Sequence, residues 1–174
     1  LVPRTFVITT DSFDMFIHDN GLQYVINSDI SDDEILSEFV ASTLPQDLTE
    51  ALRRFIRVAH RPLAVRSSSK LEDSYYQPFA GVYSTYMIPH TENEDQQLRL
   101  LSKAIKSVYA SVYFSASRGY IASTANVLSE EKMAIVVQEV CGETEGNYYF
   151  PTISGVARSI NFYPVGYEKP EDGI

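Results

Sequence analysis

The hydrophobic periodicity of the chain changes at Pro62, and this change constrains the fold more than any other feature. Before Pro62, apolar residues recur at the three- and four-residue spacings of amphipathic helices, apart from a short β-branched run at Thr5–Thr10. After Pro62, the segments Leu63–Ser67 and Val82–Ile88 have the compact or alternating apolar patterns of strands. Because both periodicities occur in one chain, the sequence predicts a mixed α/β domain.

Three helices are predicted before Pro62. Gly21 is placed to end the first, since glycine commonly follows the last turn of a helix. Ser31 and Glu34 have the spacing of a capping box at the start of the second helix, and Asp47 and Glu50 repeat that spacing for the third.

The remaining elements are predicted from patterns after Pro62. Glu92–Ser115 has one continuous apolar stripe and is expected to be the longest helix. Lys132–Val140 has a fully apolar centre, which is typical of a central strand. A turn over Cys141–Gly146 should then precede two short strands, Tyr148–Phe150 and Gly155–Ile160.

Composition excludes several classes of protein. The chain has 174 residues, enough for about one domain. Its 23 acidic residues outnumber the 14 Lys and Arg residues, and the resulting charge of −9 argues against binding to the nucleic-acid backbone. With Cys141 as the only cysteine, an internal disulfide and a multi-cysteine zinc site are both excluded. Apolar runs such as Met133–Val137 are far shorter than the ~20 residues of a membrane span, so a cytoplasmic protein is expected.

Other polar residues have weaker patterns. His18, His60 and His90 are scattered and lack the spacings of metal ligands. The acidic pairs Asp32-Asp33 and Glu130-Glu131 are expected to be capping or solvated residues.

The first candidate site surrounds Arg66. In an extended strand, Arg66 would lie on the opposite face from its apolar neighbours, close to the hydroxyls of Ser67–Ser69 and the glycine turn Phe79–Gly81. A guanidinium group is a fixed cation whose donors match phosphate oxygens, and a glycine turn can hold an anion with its amides. The alternative is a structural arginine paired with Glu72 or Asp73 above a flexible serine loop.

The second candidate site lies at the end of the predicted strand Lys132–Val140. This strand is apolar until Gln138-Glu139, and strand ends of this kind often line ligand crevices in α/β sheets. The backbone after Gln138 could offer an N–H and a C=O to a planar base. The alternative is an ordinary buried strand that leaves the core.

Four stretches carry a common pattern in a fixed order along the chain. They are Val2–Thr10; Ala64–Ser68 with Glu72-Asp73; Phe79–Thr85; and Ala134–Gln138 followed by Ser154–Ala157. Taken together, they resemble the N-terminal nucleotide-binding domain of the phosphoenolpyruvate synthase and pyruvate phosphate dikinase family. Arg158-Ser159 stands where that family commonly has Phe-Thr, which indicates a divergent branch.

The resemblance implies an α/β, ATP-grasp-like fold with a mixed sheet and flanking helices. It assigns the contact with ATP phosphates to Arg66, and the loop that covers the phosphates to Gly81 and Thr85. It assigns the edge that meets adenine to three residues at a strand end: Gln138, Glu139 and Val140. No catalytic residue is expected within the chain, and the magnesium ligands are expected beyond Ile174.

The resemblance also implies an organisation and a reaction. The chain would be one partial domain, with a mainly helical part at 1–62, a first lobe at 63–140 and the start of a second lobe at 141–174. The whole enzyme would pass phosphate from ATP to a histidine on a downstream domain and then to pyruvate on a barrel domain. The alternatives are a nucleotide-sensing or scaffold domain without catalysis, and a phosphotransferase that uses water or an antibiotic as acceptor. A homodimer is left open.

Overall fold

The computed structural model describes residues 2–69, 72, 83–122, 131–155, 157, 159–161 and 165–172. The chain divides into two compact units, Leu1–Val140 and Cys141–Ile174.

The first unit contains helices and strands that alternate irregularly along the chain. In order they are β1 (Thr5–Ile8), α1 (Thr10–Asp19), a 3₁₀ helix (Leu22–Asn27), α2 (Asp32–Ala41), α3 (Gln46–Ile56), β2 (Leu63–Ser69), β3 (Tyr86–Ile88), α4 (Glu94–Ser111), α5 (Ser115–Ala122) and β4 (Met133–Glu139). The second unit contains β5 (Glu143–Glu145), β6 (Tyr148–Phe150) and a 3₁₀ helix (Pro170–Asp172).

The helix starts test the two predicted capping boxes. The first box is confirmed: the Ser31 amide donates to Glu34 Oε2 at 2.8 Å, and the Glu34 amide donates to Ser31 Oγ at 3.3 Å. The second is wrong, because Pro45 occupies the N-cap position of α3 and Asp47 lies inside the first turn. Because the proline side chain has no hydrogen-bond acceptor, α3 starts without a side-chain cap.

The long helix predicted at Glu92–Ser115 corresponds to α4, which is the longest helix described, and α5 after it was not predicted. The start of α5 is capped from a distant part of the chain, since the Asp32 carboxylate accepts from the Ser115 amide at 2.7 Å and from its hydroxyl at 2.8 Å. The capping role expected for Asp32 is therefore present, but it serves a helix other than its own. Local sequence did not reveal the start of α5, because Asp32 and Ser115 are 83 positions apart.

The four strands of the first unit form one sheet in the order β1-β4-β2-β3. All three strand pairings are antiparallel, so the expectation of a mixed sheet is wrong for the strands that the structure describes. The pattern of a strand does not specify its direction, which depends here on pairing between segments about seventy residues apart, such as Leu63 opposite Glu139. As predicted, β4 occupies a central position.

Several strand boundaries differ from prediction. β2 continues through Ser69, so the serines extend the strand and do not form a loop. β3 covers only Tyr86–Ile88, and Val82 lies outside the described residues. Glu143–Glu145, predicted as a turn, pairs with β6 in a hairpin whose two-residue loop begins at Gly146 with φ 60°, a conformation that favours glycine. Within Gly155–Ile160, none of the described residues is in a strand.

The helices cover one face of the sheet. Alternate residues on that face are almost completely buried: Ile8, Leu63, Val65, Ile88, Ile135 and Val137. Each buried apolar side chain of this size contributes about 1.5–3 kcal/mol, so this face fixes the strand register. The other face carries exposed apolar residues, with Val7 58% and Met87 68% accessible to solvent. We call it the open face. Within the described ranges, no helix has the length and apolar character needed to cross a membrane.

Candidate functional site

Arg66 projects from the open face of the sheet. Strand β2 alternates so that Leu63 and Val65 are buried against the helices while Arg66 is exposed on the opposite side. Arg66 lies opposite Val136 of β4, close to the middle of the sheet. As the sequence predicts, Arg66 lies on the face of the strand opposite to Leu63 and Val65.

The guanidinium of Arg66 has no hydrogen-bond or ion-pair partner among the described residues. The alternative pairing with Glu72 is wrong, since the Glu72 carboxylate accepts from Ser67 Oγ at 2.8 Å and from the Ser69 amide at 3.0 Å. Asp73, the other proposed partner, lies outside the described residues. Within this part of the chain, the charge of Arg66 is available to a ligand.

A small cavity opens beside Arg66. It measures about 230 Å³ and is lined by Arg66, Ser67, Ser68, Glu72 and Val136. Pockets that enclose a whole small-molecule ligand measure roughly 300–1,000 Å³. The cavity is therefore large enough for part of a ligand, and the rest would extend across the open face.

Thr85 is an exposed residue directly before β3. The pairing of β3 with β2 ends where Tyr86 lies opposite Val65, the residue before Arg66. Gly81, the other residue of the predicted phosphate-covering loop, lies outside the described residues.

Gln138 shares the open face with Arg66. It lies opposite Ala64 on one side and Thr5 on the other, while Arg66 lies opposite Val136 two residues away. Such diagonal neighbours are about 7–8 Å apart, within reach of long side chains. The Gln138 carboxamide donates from Nε2 to Thr5 Oγ1 at 2.8 Å, which leaves its oxygen as an acceptor on the open face.

Glu139 and Val140 are placed differently from Gln138. The Glu139 side chain points to the helix-covered side and is 7% exposed. Its amide donates to the Arg4 carbonyl at 2.9 Å, and the Val140 amide donates to the Pro62 carbonyl at 2.8 Å. The free N–H expected after Gln138 is therefore absent at these two residues, because hydrogen bonding between the strands and their flanks continues past the end of β4.

Comparison with known proteins identifies the family of the chain. Residues 1–173 match the family described as the pyruvate phosphate dikinase, AMP/ATP-binding domain. The chain belongs to this family. The resemblance inferred from the four sequence stretches is thereby confirmed.

Two relatives are informative about the family. The chain is 35% identical over 137 residues to an uncharacterized phosphotransferase, YvkC, of Bacillus subtilis, a match that covers 79% of the chain and 15% of the relative. It is 26% identical over 176 residues to a phosphoenolpyruvate synthase of Aeropyrum pernix, covering 86% of the chain and 20% of that protein. The chain therefore spans a small part of the length of these curated relatives.

A buried polar pair, Tyr83 and Glu131, lies just before the starts of β3 and β4. The Tyr83 hydroxyl donates to Glu131 Oε1 at 3.1 Å, and both residues are buried. Burial, followed by the nearby charge of Glu131, raises the pKa of Tyr83 well above its ordinary value. The expectation that Glu131 is solvated is wrong, since folding brings a tyrosine 48 positions away to its carboxylate.

Two histidines that are distant in sequence are neighbours in the structure. The rings of His60 and His90 meet edge to face with centroids 6.3 Å apart. In the ranges that the structure describes, no three His, Cys, Asp or Glu side chains are grouped so as to hold a metal ion.

Proposed function

We propose that the chain is the ATP-binding part of a phosphoenolpyruvate synthase-like dikinase and that its open face binds ATP. The observation that carries this proposal is the exposed Arg66 guanidinium, which has no partner among the described residues and lies on the same face as the Gln138 carboxamide. Membership of an AMP/ATP-binding domain family supports a nucleotide as the ligand.

Arg66 is suited to the phosphate end of that ligand. A guanidinium donates two parallel hydrogen bonds to phosphate oxygens and keeps its charge at every physiological pH. The adjacent cavity of about 230 Å³ and the exposed Thr85 hydroxyl provide room and a further hydrogen-bonding group. Gly81 of the phosphate-covering loop belongs to the same proposed subsite.

Gln138 is suited to the other end of the nucleotide. Its free carboxamide oxygen is an acceptor for an exocyclic amino group such as that of adenine. The exposed apolar surface of Val7 on the same face could pack against a planar base. We place the adenine edge at Gln138, with Glu139 and Val140 as the strand end that supports it.

The open face supplies only one side of a binding cleft. In an ATP-grasp-like arrangement, a further part of the whole protein would cover the nucleotide, exclude water and supply the magnesium ligands. Phosphoryl transfer depends mainly on positioning and on stabilising charge at the phosphate oxygens. In this proposal Arg66 supplies charge and position, a histidine on another domain receives the phosphate, and pyruvate is the final acceptor.

The proposal is tested with Arg66→Ala in the full-length protein that carries this chain. Hydrogen bonds to charged groups are each worth about 1.5–3 kcal/mol, so we expect the affinity for ATP to fall by roughly tenfold to a hundredfold. Phosphate incorporation from labelled ATP should fall with it. Arg99→Ala is the matched control, because it removes the same charge from an exposed position on α4. Wild-type ATP affinity in Arg66→Ala would refute the assignment.

The acceptor is tested separately by product analysis. Full-length protein given ATP and pyruvate should form phosphoenolpyruvate, AMP and inorganic phosphate, with one water consumed in releasing the inorganic phosphate. Sustained conversion of ATP to AMP and two inorganic phosphates without pyruvate would instead favour water as the acceptor.

A further inference from the structure

Glu139 is a buried carboxylate next to the proposed adenine edge. It is 7% exposed, and its Oε1 atom accepts a hydrogen bond from the His60 amide at 3.0 Å. Arg4 Nη1 lies 3.5 Å from the same oxygen. Burying a carboxylate is unfavourable unless hydrogen bonds and an opposite charge compensate it, and both are present here.

The contacts of Glu139 join three segments that are distant in sequence. Arg4, just before β1, donates to the Val58 carbonyl, and its own carbonyl accepts from the Glu139 amide at 2.9 Å. His60 belongs to the connection between α3 and β2, and Glu139 is the last residue of β4. One carboxylate thus ties the start of β1 and the α3–β2 connection to the end of β4.

This junction bears directly on Gln138. Because successive residues of a strand point to opposite faces, fixing the Glu139 side chain on the covered face fixes Gln138 on the open face. Thr5, which accepts from Gln138 Nε2 at 2.8 Å, follows Arg4 directly. The same junction therefore holds both Gln138 and the hydroxyl that orients its carboxamide.

We propose that Glu139 is a positioning residue, which sets the orientation of the Gln138 carboxamide towards the nucleotide through its contacts with His60 and Arg4. This inference rests on the proposed function, and it separates two residues that the family resemblance groups together. Gln138 contacts the ligand, whereas Glu139 acts through Gln138.

The test is a double-mutant cycle in the full-length protein. ATP affinity is measured by calorimetry for wild type, Gln138→Ala, Glu139→Ala and the double variant, at a temperature where all four are folded. We expect each single variant to bind about tenfold more weakly, which corresponds to loss of one interaction of about 1.4 kcal/mol. The double variant should bind no more weakly than Gln138→Ala, because Glu139 has nothing left to position.

The control and the contrary outcomes are distinct. Glu38→Ala removes an exposed carboxylate from α2 and should leave the affinity unchanged. The inference would be overturned if Glu139→Ala lowered the affinity for ATP by the same factor in the wild-type protein and in Gln138→Ala. It would also be overturned if Glu139→Ala alone left the affinity for ATP unchanged. Such a result, together with weakened binding in Arg66→Ala, would leave the proposed function standing. Wild-type binding in both Arg66→Ala and Gln138→Ala would overturn the proposed function and this inference with it.

If Glu139→Ala does not fold, Glu139→Gln takes its place in the cycle. The amide oxygen of glutamine can still accept from the His60 amide, while the charge that faces Arg4 is lost. If Glu139→Gln weakens ATP binding only when Gln138 is present, the inference is supported. If it weakens binding equally in Gln138→Ala, or does not weaken binding at all, the inference is overturned.

Discussion

Tyr109 has a hydroxyl that should destabilise the fold. The residue is completely buried on α4, and its hydroxyl is buried without a hydrogen-bond partner among the residues that the structure describes. Its ring packs against Phe13 with centroids 5.0 Å apart and against Phe16 at 5.4 Å. Tyr109→Phe would remove only the unpaired hydroxyl and leave both ring contacts in place.

The expected gain follows from the cost of desolvating a hydroxyl. A buried polar group left without a partner costs about 1–3 kcal/mol, and a small part of this is regained through contacts of the oxygen with its surroundings. We therefore expect Tyr109→Phe to raise the free energy of unfolding by about 1 kcal/mol. For a protein of 174 residues this corresponds to a rise in melting temperature of about 3 °C.

The assay is urea unfolding followed by circular dichroism, with the melting temperature measured separately. Tyr113→Phe is the matched control, since Tyr113 packs in the same aromatic cluster but its hydroxyl is not among the buried atoms that lack a partner. The control should change stability less. A Tyr109→Phe protein less stable than wild type by 1 kcal/mol or more would refute the reasoning, because it would show that the hydroxyl makes a favourable interaction.

Two further predictions concern alkaline pH and the helix caps. Burial raises the pKa of Tyr83, Tyr109 and Tyr113 above the ordinary value of 10.0, so their stabilising neutral state is fully present below pH 10 and is lost as pH rises further. Urea midpoints should therefore fall above about pH 10, and less steeply in Tyr109→Phe; a midpoint that is flat across that range contradicts the burial argument. Ser31→Ala should lower the free energy of unfolding by about 1 kcal/mol through loss of the α2 cap. Asp47→Ala should lower the free energy of unfolding less, since Asp47 forms no cap. If both variants lowered the urea midpoint equally, Asp47 would act as a helix cap after all.

Sequence patterns predicted the parts of the fold that depend on neighbouring residues. The capping box at Ser31, the glycine stop at Gly21 and the apolar centre of β4 were all recognisable, because they depend on local hydrogen bonding or a short hydrophobic period. Helix α5 was not predicted, because the carboxylate that caps its start comes from the distant Asp32.

The same distinction applies to the candidate site. The residue types and their order along the chain were enough to identify the family and to single out Arg66 and Gln138. The sequence could not show that the Glu72 carboxylate accepts a hydrogen bond from Ser67 and does not pair with Arg66. Nor could it show that the Glu139 side chain points away from the open face and contacts Arg4 and His60.

The sequence by itself determined most helices and strands of the first unit, and which side of β2 and β4 is buried, because both follow from local periodicity. The tertiary structure decided which polar groups are paired within the protein and which remain available. That outcome depends on strand register and on contacts between residues as far apart as Thr5 and Gln138, which local periodicity does not specify.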